Sequence, residues 1–387
     1  DIYHNVLETN VSIFFKSPDG SGIFFPRGMT VESFINDILM TVFFFSVGLE
    51  IRREMKVGEL SSVKKALLPV IAAFGGVVMP ALIFSFINHG TAAASGWGIP
   101  TATDIAFAVG ILSILGDRVP VSLKVFLTAL AIADDLIAIL VVALFYGGKI
   151  NFLLLGIAVV LVVFVVLLNK LGEKRMWCYL VPAFVIWSLF YYAGIHSTMS
   201  GVVMAFLVPM APRFPEAYFF RKEKQYLRRI KEYFGIASTS DGFPNGPQRH
   251  CLRRLSVISR GSMGMSYRLE HALEPWVNFL IMPVFALANA GVVIPDLSYF
   301  NVFNFNAAMG SVGMGIFLGL LIGKPLGISL ASFLAIKLHA GEMPAGASWK
   351  MLIAVACLGG IGFTMSIFVD TLSFSGQAPE VMAHLRD

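Results

Sequence analysis

Four ionisable side chains stand inside long apolar runs of this chain: Asp104, Asp134, Asp135 and Lys324. A charge at the middle of a bilayer costs about 2.5–3.5 kcal/mol on insertion scales, so each is a candidate for chemistry. Asp134 and Asp135 lie within Thr128-Ala-Leu-Ala-Ile-Ala-Asp-Asp-Leu-Ile137, too far from either end of the run to reach water. Neighbouring positions on a helix point about 100° apart, so one carboxylate can face a pathway while the other meets a second helix. Two adjacent buried acids also oppose each other's ionisation. Polar glue between helices is the simpler alternative, but a single Asn supplies that at less cost.

Asp104 lies in Ile99-Pro-Thr-Ala-Thr-Asp-Ile-Ala-Phe107. Pro100 removes a backbone donor, and Thr101 and Thr103 offer hydroxyls to local backbone. The pattern reads as a helix-weakening patch beside a carboxylate, tolerated in a membrane only where protein or a cavity surrounds it. The alternative is an ordinary helix start after Pro100 near an interface. Lys324, in Leu321-Ile-Gly-Lys-Pro-Leu-Gly327, is the counter-charge available to one of the aspartates. The stretch Cys357-Leu-Gly-Gly-Ile-Gly-Phe-Thr-Met365 carries three glycines, which fit either a second broken helix or close packing of small residues.

Carboxylate and carbonyl oxygens are the ligands a hard cation takes, and the same oxygens take protons. Cation and proton therefore compete for one site. Exposing such a site alternately to two sides of a membrane makes an antiporter.

The elements that must position these groups are membrane helices. Apolar residues make up 57% of the 387, above the roughly 45–50% of soluble domains. Ten segments approach the roughly 20 residues that cross the hydrocarbon: 33–52, 66–88, 97–115, 120–147, 151–170, 176–194, 196–210, 274–292, 309–338 and 350–374. When the connecting loops are alternated between two sides, only Lys16, Arg27, Lys149 and Arg386 fall on one of them. Lys124 and Lys324 lie inside segments, and the rest of the 29 Lys and Arg gather on the other side. The positive-inside rule assigns that basic side to the cytoplasm. The three cysteines, Cys178, Cys251 and Cys357, have no metal or disulfide spacing. Basic residues placed beside spans fit topology, not nucleic acid.

The chain thus divides into 1–30, an extracytoplasmic stretch; 31–210, membrane helices; 211–271, a basic cytoplasmic loop; 272–374, further membrane helices; and 375–387, an extracytoplasmic tail. Within the first, Val11–Phe15 and Ile23–Phe25 flank Ser17-Pro-Asp-Gly-Ser-Gly22 and read as a β-hairpin. Its apolar edges fit pairing with a second copy, making a homodimer, or a local cap. In 211–271, the run from Arg221 to Lys231 interleaves basic and aromatic residues as an amphipathic surface helix does, though a loop that fixes topology is the plainer reading. Asp241–Pro247 reads as a flexible linker. The chain starts at Asp1 without Met, and ten spans put both ends outside, so the expectation is a longer parent with a helix before Asp1 and another after the last span.

At these residues the chain resembles the NhaA family of sodium/proton antiporters. The matching blocks are Phe43–Glu54, Pro100–Phe107, Ala129–Leu136, Gly194–Thr198, Arg268–Trp276, Phe285–Gly291, Gly323–Ile328 and Gly360–Phe368, in order across nearly the whole chain. The resemblance implies an all-α polytopic protein with inverted repeats and two discontinuous helices crossing at mid-membrane. It implies pH-regulated, electrogenic exchange of Na+ or Li+ for H+ across a bacterial inner membrane, with these ions as cargo and no cofactor. It implies that Asp135 is the primary Na+ ligand, that Asp134 pairs with Lys324, and that Asp134 and Thr103 share the cation site. Asp104 and Thr103 then offset half-helix dipole ends. Glu50, Arg53, Glu54, Glu270 and His271 match a cytoplasmic pH-responsive cluster, and His196 matches another pH-linked position. Glu274 departs from the histidine often found there, and the 211–271 loop is longer than the family's.

An intramembrane aspartyl protease also needs two membrane carboxylates. It places them on facing helices in Tyr-Asp and Gly-x-Gly-Asp settings, and neither motif occurs here. Another cation/proton exchanger of the same fold is the nearer alternative. A purely structural membrane protein is a third, against which Lys324 and three buried acids weigh.

Overall fold

A computed structural model describes residues 6–10, 13–16, 22–25, 29–147, 150–212, 214, 216–236, 246–289 and 311–374. Strands β1 (Ile13–Lys16) and β2 (Gly22–Phe25) pair antiparallel, with Ile13 opposite Phe25 and Lys16 opposite Gly22. The expected turn at 17–21, most of the linker 241–247 and the tail 375–387 lie outside the described residues.

The other long elements among the described residues are helices: α1 (Val31–Lys56), α2 (Val63–Ile87), α3 (Ile105–Ile114), α4 (Val121–Phe145), α5 (Phe152–Lys170), α6 (Trp177–Ala193), α7 (Thr198–Leu207), α8 (Glu216–Ile236), α9 (Gly246–Ser262), α10 (Met265–Asn289), α11 (Val312–Lys337), α12 (Trp349–Leu358) and α13 (Phe363–Ser373). Among the described residues, α1, α4, α5, α10, α11 and most of α2 are each long and apolar enough to cross a bilayer, and α12 with α13 makes a seventh span bent by 49°. Helices α6 and α7 are shorter. Their separation at Gly194 is real, because that residue takes φ 80 and ends α6, a left-handed conformation that glycine adopts without penalty.

Local chemistry explains the starts. Thr30, Asn151, Ser311 and Ser348 each accept from backbone N–H groups of the first turn they precede, in α1, α5, α11 and α12. These are side-chain N-caps. Helix α10 begins at Met265, nine residues before the apolar segment at 274–292. Glu270, Glu274 and Pro275 hide this first part from a hydropathy reading, although one helix carries both.

Three features hold the bundle around the site. Helices α2 and α11 approach through Gly75 and Gly327, where a methyl on either would overlap the other's backbone carbonyl. Arg52 of α1 donates to the carbonyls of Ala205 (3.0 Å) and Val208 at the end of α7, satisfying groups that a helix end leaves open. A central apolar cluster, with Phe44, Phe285 and Phe368 at its heart, joins α1, α4, α10 and α13.

Candidate ion-binding site

The third apolar segment is not one helix. Ala92–Thr101 forms a 3-10 helix, Ala102 is extended at φ -81 ψ 149, and α3 starts only at Ile105. The last segment breaks likewise between Leu358 and Phe363. Pro100 and the glycines at 359, 360 and 362 account for both breaks, since neither sequence supports an unbroken hydrogen-bond ladder.

The two breaks meet. The Asp104 amide donates to the Ile361 carbonyl at 2.7 Å, and the Thr103 hydroxyl lies 2.9 Å from the Gly359 carbonyl. The Asp104 carboxylate accepts from the Thr364 hydroxyl, and more weakly from the Thr364 and Phe107 amides at 3.4 Å. It therefore caps the N-termini of α3 and α13 together, placing an anion where two helix dipoles present positive ends.

Beside this junction, the Asp134 Oδ2 accepts from Lys324 Nζ at 2.7 Å and from the Thr103 hydroxyl. Lys324 also donates to the Thr101 carbonyl, and it is fully buried. Asp134 Oδ1 and Asp135 Oδ1 are buried with no hydrogen-bond partner. Asp135 is turned away from the lysine and lines a cavity of about 840 Å³ together with Thr103, Asp104 and Thr364. That is the split expected from adjacent helix positions.

The same cavity runs past Glu50 and Arg53 of α1 to Glu270, His271 and Glu274 of α10. Arg53 forms ion pairs with Glu54 at 3.3 Å and with Glu270 at 3.2 Å. His271 and Glu274 are exposed, so the cavity has a polar mouth on the side that carries the basic loops. A large cavity lined by Asp135, whose buried Oδ1 has no hydrogen-bond partner among the described residues, is a site for a cation or a proton.

With that geometry in hand, the relatives decide the family. The family model for Na+/H+ antiporter 1 matches residues 1–385. The chain belongs to that family. It is similar to the Na(+)/H(+) antiporter NhaA of Wolinella succinogenes, 42% identical over 352 residues that cover 90% of this chain and 75% of the relative. The NhaA of Oleidesulfovibrio alaskensis is 45% identical over 346 residues, 89% of this chain and 75% of its own. That of Acidithiobacillus ferrooxidans is 42% identical over 372 residues, covering 96% and 82%. A chain of this family with these apolar helices is a multi-pass membrane transporter, not an enzyme.

Thr103, Asp104, Asp134, Asp135 and Lys324 therefore form one cluster, and Glu50, Arg53, Glu270 and His271 share the antiporter's cavity with it. Glu54 stands behind Arg53. His196 stands apart, its ring against the Tyr146 carbonyl between α6 and α7. Sequence reasoning missed Thr364, whose hydroxyl fixes Asp104, although it follows the triple-glycine stretch within reach of the argument. It also missed Asp37, whose carboxylate accepts from Ser197 at 2.7 Å. No pattern singled that residue out, since it stands near a segment end where acids are common.

Proposed function

We propose that this protein exchanges Na+, or Li+, for H+ across a bacterial inner membrane, with Asp135 as the primary cation ligand. The observation that carries this reading is Asp135, which lines the cavity and keeps a buried Oδ1 with no partner among the described residues, beside an Asp134 held by Lys324. A carboxylate out of water must keep a counter-ion or a proton. A cation that enters at Asp135 completes its shell with Asp134 and the Thr103 hydroxyl, which draws Asp134 away from Lys324. The ammonium, left without its partner in an apolar setting, gives up a proton. Asp135 and Lys324 are thus two proton carriers displaced by one cation, which makes exchange electrogenic.

Asp104, with Thr364, keeps the two helix ends together while the site changes sides, in the manner of inverted repeats whose broken helices cross at the midplane. The mouth group of Glu50, Arg53, Glu54, Glu270 and His271, with His196 elsewhere, sets the pH at which the cavity fills. The paired strands β1 and β2, on the extracytoplasmic side, join two copies into a homodimer through an open edge. No resident cofactor is required, because the ions are cargo.

The test is sodium-driven alkalinisation of everted vesicles holding the protein, followed with a pH-gradient dye. Wild type responds to added Na+, and Asp135→Asn at equal abundance does not. A response of equal size from the variant overturns the assignment.

A further inference from the structure

We propose that the helical hairpin α8–α9 is an anionic-lipid anchor, lying on the headgroups of the membrane leaflet from which it emerges. The hairpin is rooted there. Its base is pinned where α7 leaves and α10 enters the bilayer, by Phe214 N–H to the Gly261 carbonyl (3.1 Å) and Ser266 N–H to the Pro209 carbonyl (3.2 Å). Gly264 packs so closely on Met210 that a methyl there would overlap its carbonyl.

Each helix has an inner face spent on packing and an outer face that is basic and apolar together. On α9, Gln248, Cys251, Ile258 and Gly261 are buried, whereas Arg249, Leu252, Arg253 and Arg260 are exposed on the opposite stripe. The helix contains no acid. On α8 the half-buried residues Phe219, Lys222, Glu223 and Tyr226 share one face. The exposed stripe is Phe220, Arg221, Lys224, Leu227 and Arg228, with Glu232 one turn beyond. Phe220 is 57% exposed and Leu227 41%.

Large exposed apolar groups set among exposed cations fit an interface that is greasy below and negative above. A nucleic acid or an acidic protein would match the arginines but leave Phe220, Leu227 and Leu252 without use. The root starts both helices at the bilayer surface, so a hairpin that lies down brings its stripes to the headgroups. This inference does not rest on the ion-site reading, only on the chain's spanning the membrane.

The experiment is limited trypsin cleavage of the full chain in nanodiscs of phosphatidylcholine alone or with phosphatidylglycerol added. Cleavage after Arg221, Lys224, Arg228 and Arg253 is measured against cleavage after the exposed Arg175 outside the hairpin. Each engaged basic residue is worth about fivefold in surface partition. Phosphatidylglycerol is therefore expected to slow hairpin cleavage by about tenfold or more. Choline chloride at about 1 M, where screening shortens to about 3 Å, restores the rate. The variant Phe220→Ala/Leu227→Ala/Leu252→Ala keeps every trypsin site and is expected to lose most of the protection. Equal hairpin rates in both discs overturn the proposal. So does protection that appears only when RNA or an acidic polypeptide is added.

Discussion

Replacing Lys324 by Met removes the only cation bonded to Asp134, which it meets at 2.7 Å with both groups out of contact with water. The Thr103 hydroxyl remains as a donor to that carboxylate, but a hydrogen bond does not neutralise a buried charge. Breaking a buried pair by removing one partner costs about 3–5 kcal/mol. At about 2 °C per kcal/mol for a chain of this size, the melting temperature falls by about 6–10 °C. Asp134→Asn alone leaves the ammonium unpaired and is expected to lose a similar amount. The double variant removes both charges and is expected to lose no more than either single alone, a coupling of about 3 kcal/mol or more. The assay is thermal unfolding of the purified protein in detergent, in the absence of Na+ and Li+. Singles within about 1 °C of wild type, or a double whose loss is the sum of the singles, would show that the two residues do not act as a pair.

Other expectations follow from separate contacts. Thr364→Val removes the hydroxyl donor to Asp104 and is expected to cost about 1–2 kcal/mol of stability, whereas Thr364→Ser retains most of it, as chemical unfolding will show. Glu270→Gln takes one negative charge from the group at the cavity mouth and leaves Arg53 paired with Glu54 alone among the described residues. Transport measured against pH is expected to move toward acid by roughly one unit, about 1.4 kcal/mol of interaction, with the alkaline plateau kept; an unmoved curve contradicts a role for this group in setting pH. Gly327→Ala forces α11 away from α2 and is expected to cost about 1–3 kcal/mol, read as lost thermal stability, while Gly110→Ala in α3, where a methyl meets nothing within 4 Å, changes little.

The site was legible because the bilayer makes charge conspicuous. Asp134, Asp135 and Lys324 stood out as ionisable groups that no surface could explain, and the structure puts all three within one cluster. The breaks were legible through Pro100 and the glycines after Cys357, residues that act on backbone locally. What local patterns do not carry is which break meets which. The 2.7 Å bond from Asp104 to Ile361 joins residues far apart in sequence, and Thr364 became visible only through it. The start of α10 was placed late because a window of hydropathy averages Glu270 and Glu274 into a loop, although on a helix they line the cavity. Similarly, α9 was unseen because its apolar residues Cys251, Leu255 and Ile258 fill only a narrow stripe among arginines.

Proton release on cation binding reads the competition at the carboxylates without any membrane or gradient. Purified protein in weakly buffered detergent solution is titrated with Na+ while a pH dye records the bulk. The account predicts saturable release of protons from wild type, no release from Asp135→Asn, and an apparent Na+ affinity that rises by about tenfold per pH unit for each proton displaced. Sodium that binds with an affinity independent of pH, releasing no proton, would contradict it.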